Sequence, residues 1–184
     1  MEKIFIATTT YNKYSSDPLR LLKSCNIQID KNDKGRKLAA DEIFKLIPQY
    51  NGIIAGTESY SANILNQAQQ LKVISRLGTG NDNIDLETAD RLGITIFNTK
   101  TSPALGVAEL ALGLMLDLSR RISRHNADLN MGIWKKQMGT LISGKTLGIV
   151  GLGTIGAELI NITRGFGLKY LINDIRVNSD IAKS

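Results

Sequence analysis

A chain of 184 residues with 42% hydrophobic and 22% charged residues has the balance of a globular protein, long enough for one or two small domains with a buried core. The formal net charge of +6 would suit a nucleic-acid partner, but the denser basic groups, residues 31–37 and 120–124, are short, have polar or acidic residues close by and lack an aromatic stacking platform, which argues against one. A single cysteine, Cys25, rules out an internal disulfide, the first residues lack a signal-peptide pattern, and the longest apolar stretch, Ala104 to Leu118, is too short for a bilayer, so a cytoplasmic protein without membrane contact is expected.

From the amino terminus, apolar runs of strand length alternate with helical patterns. Strands are predicted at Ile4 to Ala7, Ile27 to Ile29, Gly52 to Ala55, Val73 to Arg76 and Ile94 to Phe97. Helices are predicted at Pro18 to Ser24 with Asp17 as N-cap, at Ala39 to Leu46, at Ala62 to Gln69, and at Leu86 to Leu92 with Asp85 as N-cap. This βα rhythm predicts a parallel sheet covered by helices on both faces.

The loop after the fourth strand, Arg76 to Asp82, leaves a carboxyl end of that sheet, where ligands of open α/β folds gather. Gly78 and Gly80 would leave the N–H groups near Thr79 exposed, either as a nest for a carboxylate or as a plain connecting turn. Asn98 to Pro103 reads as a hinge. One long helix is predicted from Ala104 to about Asn130, its apolar face made of Val107, Leu110, Ala111, Leu114, Leu118 and Ile122.

The most informative stretch is Lys145 to Ile175. A short strand, Thr146 to Val150, runs straight into Gly151-Leu152-Gly153-Thr154-Ile155-Gly156. An amphipathic helix follows, with Ile155, Leu159, Ile162 and Phe166 on one face, then a second strand, Leu168 to Ile172, with Asp174 at its end. Gly151 permits the tight turn, Gly153 keeps no side chain between a pyrophosphate and the backbone, and Gly156 lets helix and strand pack closely. The phosphates would sit on free backbone N–H groups at the positive end of the helix dipole. Asp174, eighteen residues after Gly156, stands where a carboxylate accepts the adenosine ribose hydroxyls and repels a 2′-phosphate, which favours NAD over NADP.

Four blocks, NGIIAGTESY, LKVISRLGTGNDNIDLETADRLGITIFNT, SPALGVAEL and GKTLGIVGLGTIG, together resemble the D-isomer-specific 2-hydroxyacid dehydrogenases, most closely their phosphoglycerate dehydrogenase branch. The likeness covers nearly the whole chain. It implies an α/β fold with a flavodoxin-like parallel-sheet substrate domain over residues 1–100. The first βαβ of a Rossmann dinucleotide-binding domain would follow over residues 101–184, its long helix 104–130 serving as linker and dimer helix. It implies NAD as hydride carrier, a small 2-hydroxy or 2-oxo acid as substrate, with 3-phosphoglycerate favoured and a sugar-acid or glyoxylate type open, and a homodimer at full length. By position, Gly78, Thr79 and Gly80 match the loop whose backbone holds the substrate carboxylate, with Thr79 also close to the nicotinamide. Gly151, Gly153, Thr154, Ile155 and Gly156 match the pyrophosphate turn, and Asp174 matches the ribose acid.

Two departures stand out. Lys100 follows the Asn-Thr of the hinge where the family often has Pro, and is read as a solvated lysine. Family members also use an Arg, a Glu and a His that come later in their chains than the ten residues after Asp174 can hold. The sole histidine, His125, falls on the long helix, out of position and expected to be exposed, so no catalytic residue and no metal site is assigned here. The chain reads as an amino-terminal portion, about 120–150 residues short of a two-domain enzyme. It is expected to bind NAD weakly and to show no turnover by itself. The alternative is a non-catalytic NAD-binding or protein-interaction remnant of the family, with a partner covering an open sheet edge.

Overall fold

The computed structural model describes residues 1–175. The chain divides into two compact units, Met1–Thr101 and Ser102–Ser184.

In the first unit, β1 (Lys3–Ile6), β2 (Gln28–Lys31), β3 (Gly52–Ala55), β4 (Val73–Arg76) and β5 (Thr95–Asn98) form a fully parallel sheet in the order β2-β1-β3-β4-β5. This is the flavodoxin-like order, whose direction of winding switches between β1 and β3. The connecting helices are α1 (Asp17–Ser24), α2 (Ala40–Leu46), α3 (Ala62–Leu65) and α4 (Leu86–Arg91). The core lies on one face of the sheet. Phe5, Ile53 and Ile74 pack there with Ile43 of α2, Ile64 and Leu65 of α3 and Ala89 of α4. The other face is less covered than expected: Ile4, Ile54 and Val73 stay half-buried, and α1 buries no residue fully.

Several boundaries differ from expectation for local reasons. β2 shifts to include Asp30 and Lys31, because an edge strand with one neighbour tolerates polar side chains. α3 stops at Leu65; beyond it the Gln67, Ala68 and Leu71 N–H groups bond three residues back, which is 3-10 rather than α geometry. Asp17 is not the cap of α1. Ser16 holds that position without a side-chain bond, while Asp17 opens the helix and pairs with Arg20. The Asp85 cap of α4 is present, its carboxylate accepting the Thr88 N–H at 2.8 Å.

The second unit contains α5 (Ala104–Arg120), α6 (Ile122–Asn130), β6 (Thr146–Val150), α7 (Thr154–Thr163) and β7 (Lys169–Asn173), with β6 and β7 parallel. The expected single helix is broken. Arg121 takes the left-handed conformation (φ 57°, ψ 39°), and Asp117 of α5 then accepts the Ser123 N–H at 2.6 Å and its hydroxyl at 2.7 Å. Asp117 thereby satisfies orphan donors at the start of α6, and the Ser123 bonds hold its carboxyl below the ordinary carboxylate range.

The packed faces also differ. α5 packs on α7, with Ala108 buried and Ala111, Leu112 and Met115 half-buried, while Val107, Leu110, Leu114 and Leu118 point outward. On α7 the buried line is Gly156, Ile160 and Thr163, not the Ile155 line. Both helices are apolar on more than one face, so periodicity alone does not choose the face; close approach at small residues does.

Candidate functional site

The second unit builds a glycine turn between β6 and α7. Gly151 follows β6 with φ +91°, a conformation suited to glycine. Gly153 precedes α7, and a Cβ built on it would meet nothing within 4 Å, so its backbone faces open space. A Cβ on Gly156 would stand 2.7 Å from the Gly151 carbonyl oxygen and 3.3 Å from Ile149 Cγ2, so the first turn of α7 lies on the end of β6 as closely as backbone permits. No side chain caps α7, so its first N–H groups remain available to an anion. Asp174, just past β7, accepts a hydrogen bond from the Leu152 N–H, and the Gly151 N–H donates to Asn173 O at 2.8 Å. The carboxylate expected to face a ribose is therefore anchored to the glycine turn itself.

In the first unit, the loop after β4 is held differently from expectation. The Gly78 N–H is not free: it donates to Arg76 O at 3.0 Å and Thr99 Oγ1 at 3.1 Å. Thr99 N–H returns a bond to Gly78 O at 3.0 Å, and Asn98 Nδ2 donates to Thr79 O at 2.7 Å. The residues read as a hinge thus clamp the loop. Thr79 and Gly80 donate their N–H groups to no atom among the described residues. The Arg76 side chain folds directly over Gly78, where any Cβ would collide with its guanidinium, and reaches Leu77 O at 3.2 Å. Arg76 Nε and Asn81 Oδ1 are both buried and, among the described residues, unpartnered. A Cβ on Gly80 would stand 3.1 Å from Asp82 Oδ2, so an acidic side chain also borders this loop.

Arg76 was not singled out from sequence, although a basic residue at the last position of a strand entering a glycine loop carries that signal. Glu58 was also passed over. It is 2% exposed, at the carboxyl end of β3, and its Oε2 accepts the Gly56 N–H at 2.7 Å. Asn83 Nδ2 donates to Glu58 O at 2.6 Å and Gly56 O at 3.3 Å, fastening this turn to the segment before α4. Beside it the Tyr60 hydroxyl is fully buried and has no partner among the described residues; burial first, then the Glu58 charge, push its pKa up.

The two groups of residues belong to different units: Gly78, Thr79 and Gly80 to the first, and Gly151, Gly153, Thr154, Ile155, Gly156 and Asp174 to the second. His125 lies on α6, half-buried rather than exposed, near the Trp134 segment and apart in sequence from both groups. No cluster of potential metal ligands exists among the described residues, and none of their helices is long and apolar enough to cross a membrane.

Comparison with known proteins gives one family. Residues 6–172 match the D-isomer specific 2-hydroxyacid dehydrogenase catalytic domain. The chain is 38% identical to D-3-phosphoglycerate dehydrogenase of Homo sapiens over 152 residues, covering 81% of this chain and 28% of that protein. It is 39% identical to hydroxypyruvate reductase of Thermotoga maritima over 140 residues, covering 74% of this chain and 46% of that one. Among solved structures, the NAD+-bound 3-phosphoglycerate dehydrogenase of Entamoeba histolytica superposes with a TM-score of 0.72 at 26% identity, over 98% of this chain and 56% of that one. The TT0316 protein of Thermus thermophilus gives a TM-score of 0.81 at 26% identity, over 96% and 57%. The chain thus spans between about a quarter and three-fifths of the length of these relatives.

Proposed function

The chain belongs to the D-isomer specific 2-hydroxyacid dehydrogenases, and on that premise we propose that it carries the NAD turn and the substrate-carboxylate loop of an NAD-dependent oxidoreductase acting on a small 2-hydroxy or 2-oxo acid. The observation that carries the reading is the glycine turn, where Gly156 rests on the Gly151 carbonyl and the space above Gly153 is open.

In this reading the N–H groups of Thr154 and Ile155 hold the pyrophosphate, helped by the dipole of α7. Asp174, oriented by the Leu152 N–H, accepts the ribose hydroxyls and turns away a 2′-phosphate. When bound, NAD supplies the acceptor or donor of the hydride exchanged with C2 of the acid. Thr79 and Gly80 fix the substrate carboxylate through their N–H groups, and the Arg76 guanidinium balances its charge. The relatives bear the names of a 3-phosphoglycerate and a hydroxypyruvate enzyme, so the class is the 2-hydroxy acid. Residues 1–100 form the substrate domain of this scheme and residues 101–184 the start of the nucleotide domain.

The apolar stripe of Leu110, Leu114 and Leu118 on α5, 64%, 57% and 85% exposed, is read as the face that meets a second copy of the chain.

The test is a fluorescence titration of the purified chain with NADH and NADPH. Saturable binding that prefers NADH and is lost in Gly153→Val is expected. Binding of neither nucleotide, or equal binding by the Gly153→Val protein, refutes the dinucleotide assignment.

A further inference from the structure

The parallel register of β4 and β5 sets Arg76 beside Asn98, so the chain leaving β5 runs alongside the loop that leaves β4. Two successive carbonyls of that loop bond to it. Gly78 O accepts the Thr99 N–H at 3.0 Å, and Thr79 O accepts a hydrogen bond from Asn98 Nδ2 at 2.7 Å. The Thr99 hydroxyl adds a third bond by accepting the Gly78 N–H at 3.1 Å.

In a planar trans peptide the C=O and the N–H point in opposite directions, and the peptide bonds among the described residues are all trans. The N–H that shares a peptide unit with Gly78 O belongs to Thr79, and the one that shares a unit with Thr79 O belongs to Gly80. With both carbonyls turned toward residues 98 and 99, both N–H groups are turned away from them. Neither donates to any atom among the described residues, and Thr79 is exposed. Two consecutive N–H groups left open in this way form the kind of concavity that holds an anion.

The side chains around the loop do not by themselves settle its preference for an anion. The Arg76 guanidinium folds over Gly78, and Asp82 Oδ2 would lie 3.1 Å from a Cβ on Gly80, so the loop carries a charge of each sign. The acid offsets part of the pull that the cation exerts on a carboxylate. The direction of the two peptide planes then decides the matter. With their carbonyls rotated outward, the same loop would present oxygens and repel an anion.

Resting on the carboxylate-loop reading above, we infer that Asn98 and Thr99 are positioning residues for the substrate carboxylate. They act through the loop backbone and not by contact with the acid. Thr99 holds Gly78 from both sides, so the Thr79 N–H faces outward, and the Asn98 carboxamide holds Thr79 O, so the Gly80 N–H does the same.

The test is amide NMR of the 184-residue chain titrated with D-lactate, together with residual dipolar couplings, which report the direction of each N–H. D-Lactate should shift the Thr79 and Gly80 amides of the wild type. Asn98→Ala should change the dipolar coupling of the Gly80 N–H and weaken D-lactate binding at least about tenfold, while the couplings within the five-stranded sheet stay as they were. Thr99→Val should weaken binding as well, and Thr99→Ser, which keeps the hydroxyl, should restore it to within about threefold of the wild type. That pair decides the question if Asn98→Ala does not fold. Unchanged couplings at Thr79 and Gly80 in the Asn98→Ala and Thr99→Val proteins, or D-lactate affinity within about threefold of the wild type in both, overturn the positioning role and leave the carboxylate-loop reading intact. No D-lactate shift at Thr79 and Gly80 of the wild type overturns the carboxylate-loop reading and this role with it.

Discussion

Asp174 reaches back from the end of β7 to accept the Leu152 N–H, joining the acid that follows the second strand to the turn that follows the first. The bond orients the carboxylate at the mouth of the glycine turn, and it makes the acid part of the turn's own geometry. On the proposed reading of Asp174 as the ribose acid, replacement by alanine removes the repulsion of a 2′-phosphate together with the ribose acceptor. Asp174→Ala should therefore lower NADH affinity and shrink the NADH-over-NADPH preference by about tenfold, read by paired fluorescence titrations.

Gly156→Ala tests the packing beneath that turn. Its Cβ would fall 2.7 Å from a backbone oxygen that cannot rotate away, so α7 must lift from β6. A loss of about 1–3 kcal/mol in urea unfolding is expected, with nucleotide binding weakened in parallel. Gly165→Ala is the control, since nothing lies within 4 Å of its Cβ.

Stability should fall off at both ends of the pH scale, for different reasons. Tyr50 is pushed up to about 12 by burial and by its hydrogen bond to Asp30, and Tyr60 is pushed up further by burial and Glu58. A raised folded pKa means that the contribution is complete below the unfolded value of about 10 and is lost as pH climbs toward the folded value. At the acid end, hydrogen bonds from Lys3 to Asp30 and from Arg36 to Glu42 hold these carboxyls below their ordinary range. Their contribution is present above about pH 4 and is lost as pH falls below it. Urea midpoints from pH 2 to 12 should trace a plateau with both flanks, and Tyr50→Phe should flatten the alkaline one. Tyr60→Phe, which removes a buried hydroxyl that has no partner among the described residues, should raise the neutral-pH stability by up to about 1 kcal/mol.

The outward stripe of α5 gives a prediction about assembly. Leu114→Glu with Leu118→Glu should convert a dimer into a monomer in light scattering while leaving the circular dichroism spectrum unchanged, because both side chains already face outward. A wild-type chain that is monomeric at high concentration would sink the assignment of that face.

What could be read in advance followed how local each signal was. Gly52–Ala55, Val73–Arg76 and Thr146–Val150 have the strand bounds expected, the first and last because each is a mostly apolar run closed by a glycine, Gly56 and Gly151. The Asp85 cap was legible because its signal is local too. The face that α5 or α7 buries was not, since both helices are apolar most of the way round and the choice is made by which small residues a neighbour can approach. The break at Arg121 carries no glycine or proline to announce it, and depends on Asp117 finding Ser123 six residues ahead. In the candidate site, the glycines named themselves by spacing. Arg76, Thr99 and Glu58 act through the parallel register that sets three strand ends side by side, and no single stretch of sequence records that arrangement.

The left-handed turn at Arg121 also uncouples helical phase. In one uninterrupted helix, inserting or deleting a residue would rotate everything beyond it by about 100° and swing the apolar stripe of one half away from that of the other. With α5 ended at Arg120 and α6 restarted at Ile122, the angular setting of each is fixed by its own packing. A length change within α6 would leave the Ala108 face of α5 seated on α7, so the two halves of this segment can drift in sequence as separate parts.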